Sequence, residues 1–202
     1  MVFMLIAHRG LVKKGIIENT LPAFLGAINS DQYAGFELDV YTSKDGIFVV
    51  HHDPLIDGKF IWNYYYKELR KKGVVKLLDV LRLKTDKLIL IEIKDVNIDS
   101  NRFCKLLNKY QNKNIYVMSF FNSVIKKIKN PIFKVGVLNY VLNSTAEYTY
   151  DFIGILYPIA NDHMISSLKR NNIEVFLYGI GKNDLLLWED IYYIVDEKNI
   201  LK

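Results

Sequence analysis

The sequence predicts an α/β fold of the (β/α)8-barrel type, and three observations carry that prediction. Strand-like apolar runs and helix-period segments alternate about seven times along the chain, the pattern of parallel strands joined by crossover helices. Polar side chains gather where the strands end: His8, Glu37, Asp39, Glu92, Lys94 and Ser119. A barrel builds its site from the C-terminal ends of several strands. An open doubly wound sheet gathers its site at one switch point and often has a glycine-rich first turn, which His8-Arg9-Gly10 is not. At 202 residues the barrel is a short form. The chain stops just past its last strand, so the closing helix is expected to be lacking.

Taken in order, Val2 to Ala7 reads as a buried strand that ends at His8-Arg9-Gly10. Glu18-Asn19-Thr20-Leu21-Pro22 opens a helix in which Asn19 or Thr20 can cap and Pro22 suits the first turn. Gly35 to Val40 is a strand and Asp45-Gly46 a turn, with a second strand-like run from Ile47 to Val50. Residues 55–74 are polar and aromatic without a clear period, and Leu77, Leu78, Val80 and Leu81 suggest a helix. Leu88 to Lys94 is the clearest strand of the chain. Strands then follow at 115–120, 133–138, 152–157, 173–180 and 191–195. Helices are expected around Phe103 to Tyr110, Val124 to Ile128, Met164 to Leu168 and Asp184 to Trp188.

Half of the residues are hydrophobic, enough for a core, and with 4 Pro and no low-complexity linker nothing marks a boundary; residues 1–202 read as one domain. The single cysteine, Cys104, excludes an intrachain disulfide and sits in a helical pattern as a buried small hydrophobe. Met1 to Ala7 is too short for a signal or membrane-spanning segment and no other apolar run is long enough, so a soluble cytoplasmic protein without stable membrane insertion is expected. The net charge of +5 and pI near 9.0 suit an anionic ligand or a membrane surface. The lysines are scattered, with short clusters at Lys71-Lys72 and Lys126-Lys127-Lys129 and no nucleic-acid motif beside them, so nucleic acid is not the expected partner. A homo-oligomer stays open.

The stretch Gly35-Phe36-Glu37-Leu38-Asp39-Val40 carries the chemistry. On a strand Phe36, Leu38 and Val40 share one face and Glu37 and Asp39 the other. Two carboxylates on one face repel each other, and a cation between them removes the conflict. The next run delivers His51-His52-Asp53 towards the same region, so an acid/base group beside a hard cation is the chemistry suggested. Glu92 and Lys94 likewise share a face of their strand.

The ordered set His8-Arg9-Gly10, Glu18-Asn19-Thr20, Glu37-Leu38-Asp39-Val40, Asp45-Gly46, His52-Asp53-Pro54 and Glu92-Ile93-Lys94 resembles the glycerophosphodiester phosphodiesterase family. The resemblance implies a TIM barrel and metal-dependent cleavage of glycerophosphodiesters to an alcohol and sn-glycerol 3-phosphate. It further implies His8 and His52 as the catalytic pair, with His51 structural. Glu37, Asp39 and Glu92 would be ligands of Mg2+ or Ca2+, Arg9 and Lys94 would bind the substrate phosphate, and Glu18 and Asn19 would cap the helix and brace His8. The rivals are a phospholipase D-like lyase forming a cyclic phosphate with the same residues, and a catalytically inactive phosphodiester-binding barrel. The chain departs from the family at Ile17, where proline is usual, and at Leu177-Tyr178-Gly179-Ile180. The family's inserted domain is reduced to about residues 55–80. So short a segment is expected to lay only a few aromatics at the rim and to discriminate head groups weakly.

Overall fold

A computed structural model describes residues 3–129, 131–140, 149–184 and 186–197. In chain order the barrel opens with β1 (Met4–Ala7), α1 (Leu21–Ile28) and β2 (Tyr33–Thr42). An excursion follows through β3 (Phe48–Val50), β4 (Leu55–Ile56), β5 (Lys59–Phe60), α2 (Tyr66–Lys71), β6 (Val75–Lys76) and α3 (Leu77–Leu81). The barrel resumes with β7 (Leu88–Ile93), α4 (Ser100–Leu107), β8 (Ile115–Met118), α5 (Asn122–Ile125) and β9 (Lys134–Asn139). It ends with β10 (Phe152–Leu156), α6 (Asp162–Arg170), β11 (Glu174–Tyr178) and β12 (Tyr192–Val195).

Eight of these strands run parallel in the order β1-β12-β11-β10-β9-β8-β7-β2, and β2 pairs back with β1, closing the barrel that the alternation predicts. The period-2 alternation sorts the core into two. Ile6, Leu90, Met118, Phe152, Phe176 and Ile194 fill the interior, while Phe36, Leu38 and Val40 belong to the larger cluster that includes residues of the surrounding helices. The interior packs by pairing glycine with ring. A Cβ on Gly136 would lie 2.6 Å from the Phe152 ring and 2.5 Å from its carbonyl oxygen. Phe152 and Phe176 stand 4.9 Å apart, and Tyr192 stacks on Phe176 at 4.4 Å. At the N-terminal end of the strands Lys134 pairs with Glu174 and donates to the Tyr116 hydroxyl at 2.9 Å. The polar groups of the other end form the site.

The structure departs from the sequence reading in several places. Neither Asn19 nor Thr20 caps α1 through its side chain. Thr20 occupies the cap position, but its hydroxyl donates to the Ile17 carbonyl at 2.6 Å, and the Asn19 amide is used elsewhere. Residues 182–184 and 186–190 form no helix. Trp188 is tied instead by its N–H to the Tyr193 hydroxyl (2.8 Å) and by its indole N–H to Asp162 (2.7 Å). The question of a closing helix concerns residues 198–202, outside the described residues. The excursion is more ordered than its composition suggests. Asp57 and Gly58, with φ of 48° and 73°, form the two-residue turn of a β4–β5 hairpin, a signal that the sequence carried. β6 pairs with β3, and Tyr41, Val49, Ile61, Tyr64, Leu69 and Val74 pack into a small core of their own. Tyr64 is therefore structural, its hydroxyl bonded to the Ile56 carbonyl, while Trp62 and Tyr65 stay exposed. Among the described residues no helix is long and apolar enough to cross a membrane.

Gly136→Ala tests the packing of the interior. Because backbone lies on one side of the added methyl, it should lower stability by about 1–3 kcal/mol, read as a lower urea midpoint at unchanged slope. A midpoint that does not move would show slack in the barrel at this layer.

Candidate active site

The register of β2 on β7 sets Asp39 opposite Glu92 and Glu37 opposite Leu90. With side chains of alternate residues on one face, Glu37, Asp39 and Glu92 meet inside the barrel mouth. One oxygen from each lies within 4.8 Å of the others, and all three residues are buried. Lys94 Nζ bridges Glu92 at 2.7 Å and Asp39 at 3.4 Å. Glu37 Oε2 accepts the Arg9 backbone N–H at 3.0 Å, and its other oxygen is buried without a hydrogen-bond partner among the described residues. Burial pushes Glu37 well above the ordinary carboxylate range, with Asp39 and Glu92 adding to it. Burial likewise pushes Glu92 up to about 7, against the pull of Lys94 and with the push of Asp39. Burial works against the Lys94 charge, yet Glu92 and Asp39 outweigh it and hold its pKa above the usual value. Two cations do not balance three carboxylates, and one carboxylate oxygen is left over. A buried, oxygen-only donor set of net negative charge fits a hard divalent cation.

The turn after β1 positions the rest. Arg9 and Gly10 both take left-handed backbone angles, φ 56° and 83°, and a Cβ on Gly10 would lie 2.7 Å from the Ala23 carbonyl carbon. This tight reversal aims the Arg9 N–H at Glu37. Its guanidinium meets Glu18 at 2.8 Å and Asp39 at 3.4 Å. Asn19, also left-handed at φ 56°, donates its backbone N–H to the Arg9 carbonyl and its side-chain amide to Asp39 Oδ2 at 2.9 Å. Glu18 and Asn19 thus brace Arg9 and Asp39, not His8 as expected from the sequence. His8 is held by Asp196, just past β12, through Nδ1 at 2.8 Å.

His8, Arg9, Glu37, Glu92 and Lys94 line one cavity of about 260 Å³ at the mouth. Its opposite wall is aromatic: Phe120 stacks on Tyr140 at 4.7 Å, and Tyr178 meets Phe120 edge-on at 5.6 Å. Asp39 does not line this cavity but pairs with Arg9 and Lys94, which do. His52 does not line it. It lines an adjoining depression of about 290 Å³ with His51, Glu18 and Asn19, and the Arg9–Glu18 ion pair joins the two. His52 Nδ1 bonds Asp53 Oδ1 at 2.9 Å. His51 differs: its Nδ1 accepts the Asp53 N–H at 3.1 Å, and burial lowers its pKa. Sequence reasoning gave no role to Asp196 or to the Phe120–Tyr178 wall. All three lie at or just past C-terminal strand ends, where the barrel rule directs attention.

The buried carboxylates give a pH signature to the metal-free protein. Glu92 takes up its proton near pH 7 in the fold against an ordinary 4.5, so the folded state holds more protons between these values. This contribution is fully present below about pH 4.5 and is lost as pH rises past 7, a change on the order of 3 kcal/mol. Urea midpoints in chelator should therefore fall from pH 5 to pH 8, the fall should shrink in Glu92→Gln, and an added divalent cation should restore the midpoint at pH 8. A fall of equal size in Glu92→Gln would show that other groups cause it.

Known proteins agree with this architecture. The model of the glycerophosphoryl diester phosphodiesterase family matches residues 8–198. The chain is 26% identical to a glycerophosphodiester phosphodiesterase of Caldanaerobacter subterraneus subsp. tengcongensis, over 90% of this chain and 87% of that protein. Among solved structures, a putative glycerophosphodiester phosphodiesterase from Galdieria sulphuraria superposes with a TM-score of 0.82 at 18% identity, covering 97% of this chain and 94% of that one. The glycerophosphodiester phosphodiesterase of Thermotoga maritima gives 0.73 at 23% identity, with coverage of 98% and 95%. An Oleispira antarctica phosphodiesterase, solved with the product sn-glycerol-3-phosphate, gives 0.76 at 19% identity over 89% and 85%. The family match spans nearly the whole barrel, both predicted histidines and all three carboxylates, and the chain belongs to the glycerophosphoryl diester phosphodiesterase family, a family of phosphoric diester hydrolases.

Proposed function

We propose that this chain, residues 1–202 acting as one domain, is a divalent-cation-dependent hydrolase that converts glycerophosphodiesters to an alcohol and sn-glycerol 3-phosphate. The observation that carries the reading is the buried Glu37–Asp39–Glu92 cluster, two of whose members, Glu37 and Glu92, open with His8 and Lys94 into one cavity. The product bound in the Oleispira antarctica structure supports glycerol 3-phosphate as the product here. The three carboxylates would hold the ion, and an all-oxygen set favours Mg2+ or Ca2+. When bound, the ion supplies charge that offsets the phosphate oxygens in the transition state.

The protein groups do the rest. Lys94 offers a point charge and Arg9 a planar fork to phosphate oxygens. His8 and His52 share one arrangement, Nδ1 bonded to a carboxylate and the ring about a third exposed, which leaves Nε2 for proton transfer. One of the pair takes the proton of the nucleophile, either water or the glycerol hydroxyl next to the ester, as the other gives a proton to the departing alkoxide. With water as nucleophile the products are the alcohol and glycerol 3-phosphate directly.

Chelation should abolish turnover of glycerophosphodiesters, and Mg2+ or Ca2+ should restore it; full activity in excess chelator would remove the ion from the mechanism. Phosphorus NMR should show glycerol 3-phosphate, whereas a cyclic phosphate as the end product would identify a lyase. His52→Ala should lose about 10²–10⁴-fold in kcat, far more than His51→Ala, whose Nδ1 is committed to the backbone. Equal losses from the two would mean that the acid/base role belongs to neither or to both.

A further inference from the structure

Lys94 lines a second space besides the mouth cavity, a groove of about 600 Å³ formed with Tyr41 and Thr42 of β2, Trp62 of the excursion and Asp95 after β7. Two aromatic rings flank it: Tyr41 and Trp62 lie 6.3 Å apart, and Phe60 stacks on Trp62 at 4.5 Å. Asp95 is only 9% exposed. Its Oδ1 accepts the Asn97 N–H at 2.9 Å, and among the described residues it forms no ion pair. The nearby lysines are engaged elsewhere, Lys44 with its ammonium 4.9 Å from the centre of the Tyr65 ring and Lys94 on Glu92 and Asp39. The Thr42 hydroxyl oxygen is buried without a hydrogen-bond partner among the described residues. A largely buried carboxylate with no cation, beside two aromatic faces, is a setting that binds an organic cation.

We propose that this groove is the subsite for the leaving alcohol and that it selects a cationic amino alcohol, ethanolamine above all, over a neutral one. The inference rests on the phosphodiesterase reading. A phosphate at Lys94, which belongs to both spaces, places one ester arm in the mouth cavity and the other in the groove. An ammonium there meets Asp95 by charge and hydrogen bond, and the Trp62 and Tyr41 rings by cation–π contact. A quaternary ammonium has no N–H to give Asp95, which ranks ethanolamine above choline. The shortness of residues 55–80 argues for weak discrimination; the small core of that segment, which includes Ile61 beside Trp62, and the Phe60 ring stacked on Trp62 argue for the stronger preference proposed here.

The test compares kcat/KM for glycerophosphoethanolamine and glycerophosphoglycerol in the metal-loaded wild-type, Asp95→Asn and Trp62→Ala proteins. The wild type should prefer the ethanolamine ester by about tenfold or more. Each variant should lose about tenfold on that ester, mainly through KM, and stay within about twofold on the glycerol ester. Absence of the preference, or equal losses on both esters, overturns the proposal. A wild-type protein that turns over neither ester overturns the phosphodiesterase reading instead, and the groove is then judged by binding. In Trp188→Phe protein, quenching of Trp62 fluorescence by ethanolamine but not by glycerol, lost in Asp95→Asn, supports it; no quenching overturns it.

Discussion

Three carboxylates held within 4.8 Å of one another, out of water, are the constraint to which the rest of the barrel mouth answers. Left alone they would repel or take up protons; burial first, and the neighbouring carboxylates second, push Glu37 and Glu92 upward. Lys94 and Arg9 supply opposing charge, Asn19 supplies an amide, and the left-handed turn at Arg9-Gly10 turns a backbone N–H onto Glu37. None of these contacts fully satisfies the cluster, since one Glu37 oxygen keeps no partner. An incompletely satisfied buried cluster costs stability, and that cost is acceptable where a bound cation completes the set.

The interior below separates the carboxylates of the mouth from the Lys134–Glu174 pair at the N-terminal end of the strands. Phe152, Phe176, Tyr116 and Tyr192 fill the lower barrel, with Gly136 making room for Phe152. This packed layer excludes water beneath the carboxylates, so they can be solvated only from the mouth. The same layer lowers the local dielectric and strengthens each of the charge contacts above it. Stability is built at one end of the strands and chemistry at the other, with the inward side chains of the same strands supplying both.

The two histidines sit differently although each has a carboxylate of its own on Nδ1. His8 is tied to the last barrel strand through Asp196, so closure of the barrel itself orients it. His52 is oriented by its neighbour Asp53 and stands beside the excursion, near Lys72 and Val74. The excursion therefore bears on both sides of the mouth: it borders His52 on one flank and carries Trp62 to the groove beside Lys94 on the other.

The sequence by itself determined the barrel class, the strand on which Glu37 and Asp39 share a face, and the face that Glu92 shares with Lys94 two residues on. Alternation with period 2 is a property of one strand and needs no partner to be read. It also contained the Asp57-Gly58 hairpin turn, whose flanking strands of two residues each carry no alternation to read. Tertiary structure alone decided the rest. That Asp39 faces Glu92 depends on the register of β2 on β7, which no local pattern specifies. That Asn19 serves Asp39 instead of capping α1 depends on a contact across 20 residues, and that Asp196 holds His8 depends on one across 188. The segment Leu186 to Trp188 has helix-compatible residues, but the hydrogen bonds of Trp188 to Asp162 and Tyr193 outweigh that weak propensity. Distances along the chain carry no record of such contacts, and only the closed barrel brings their partners within reach.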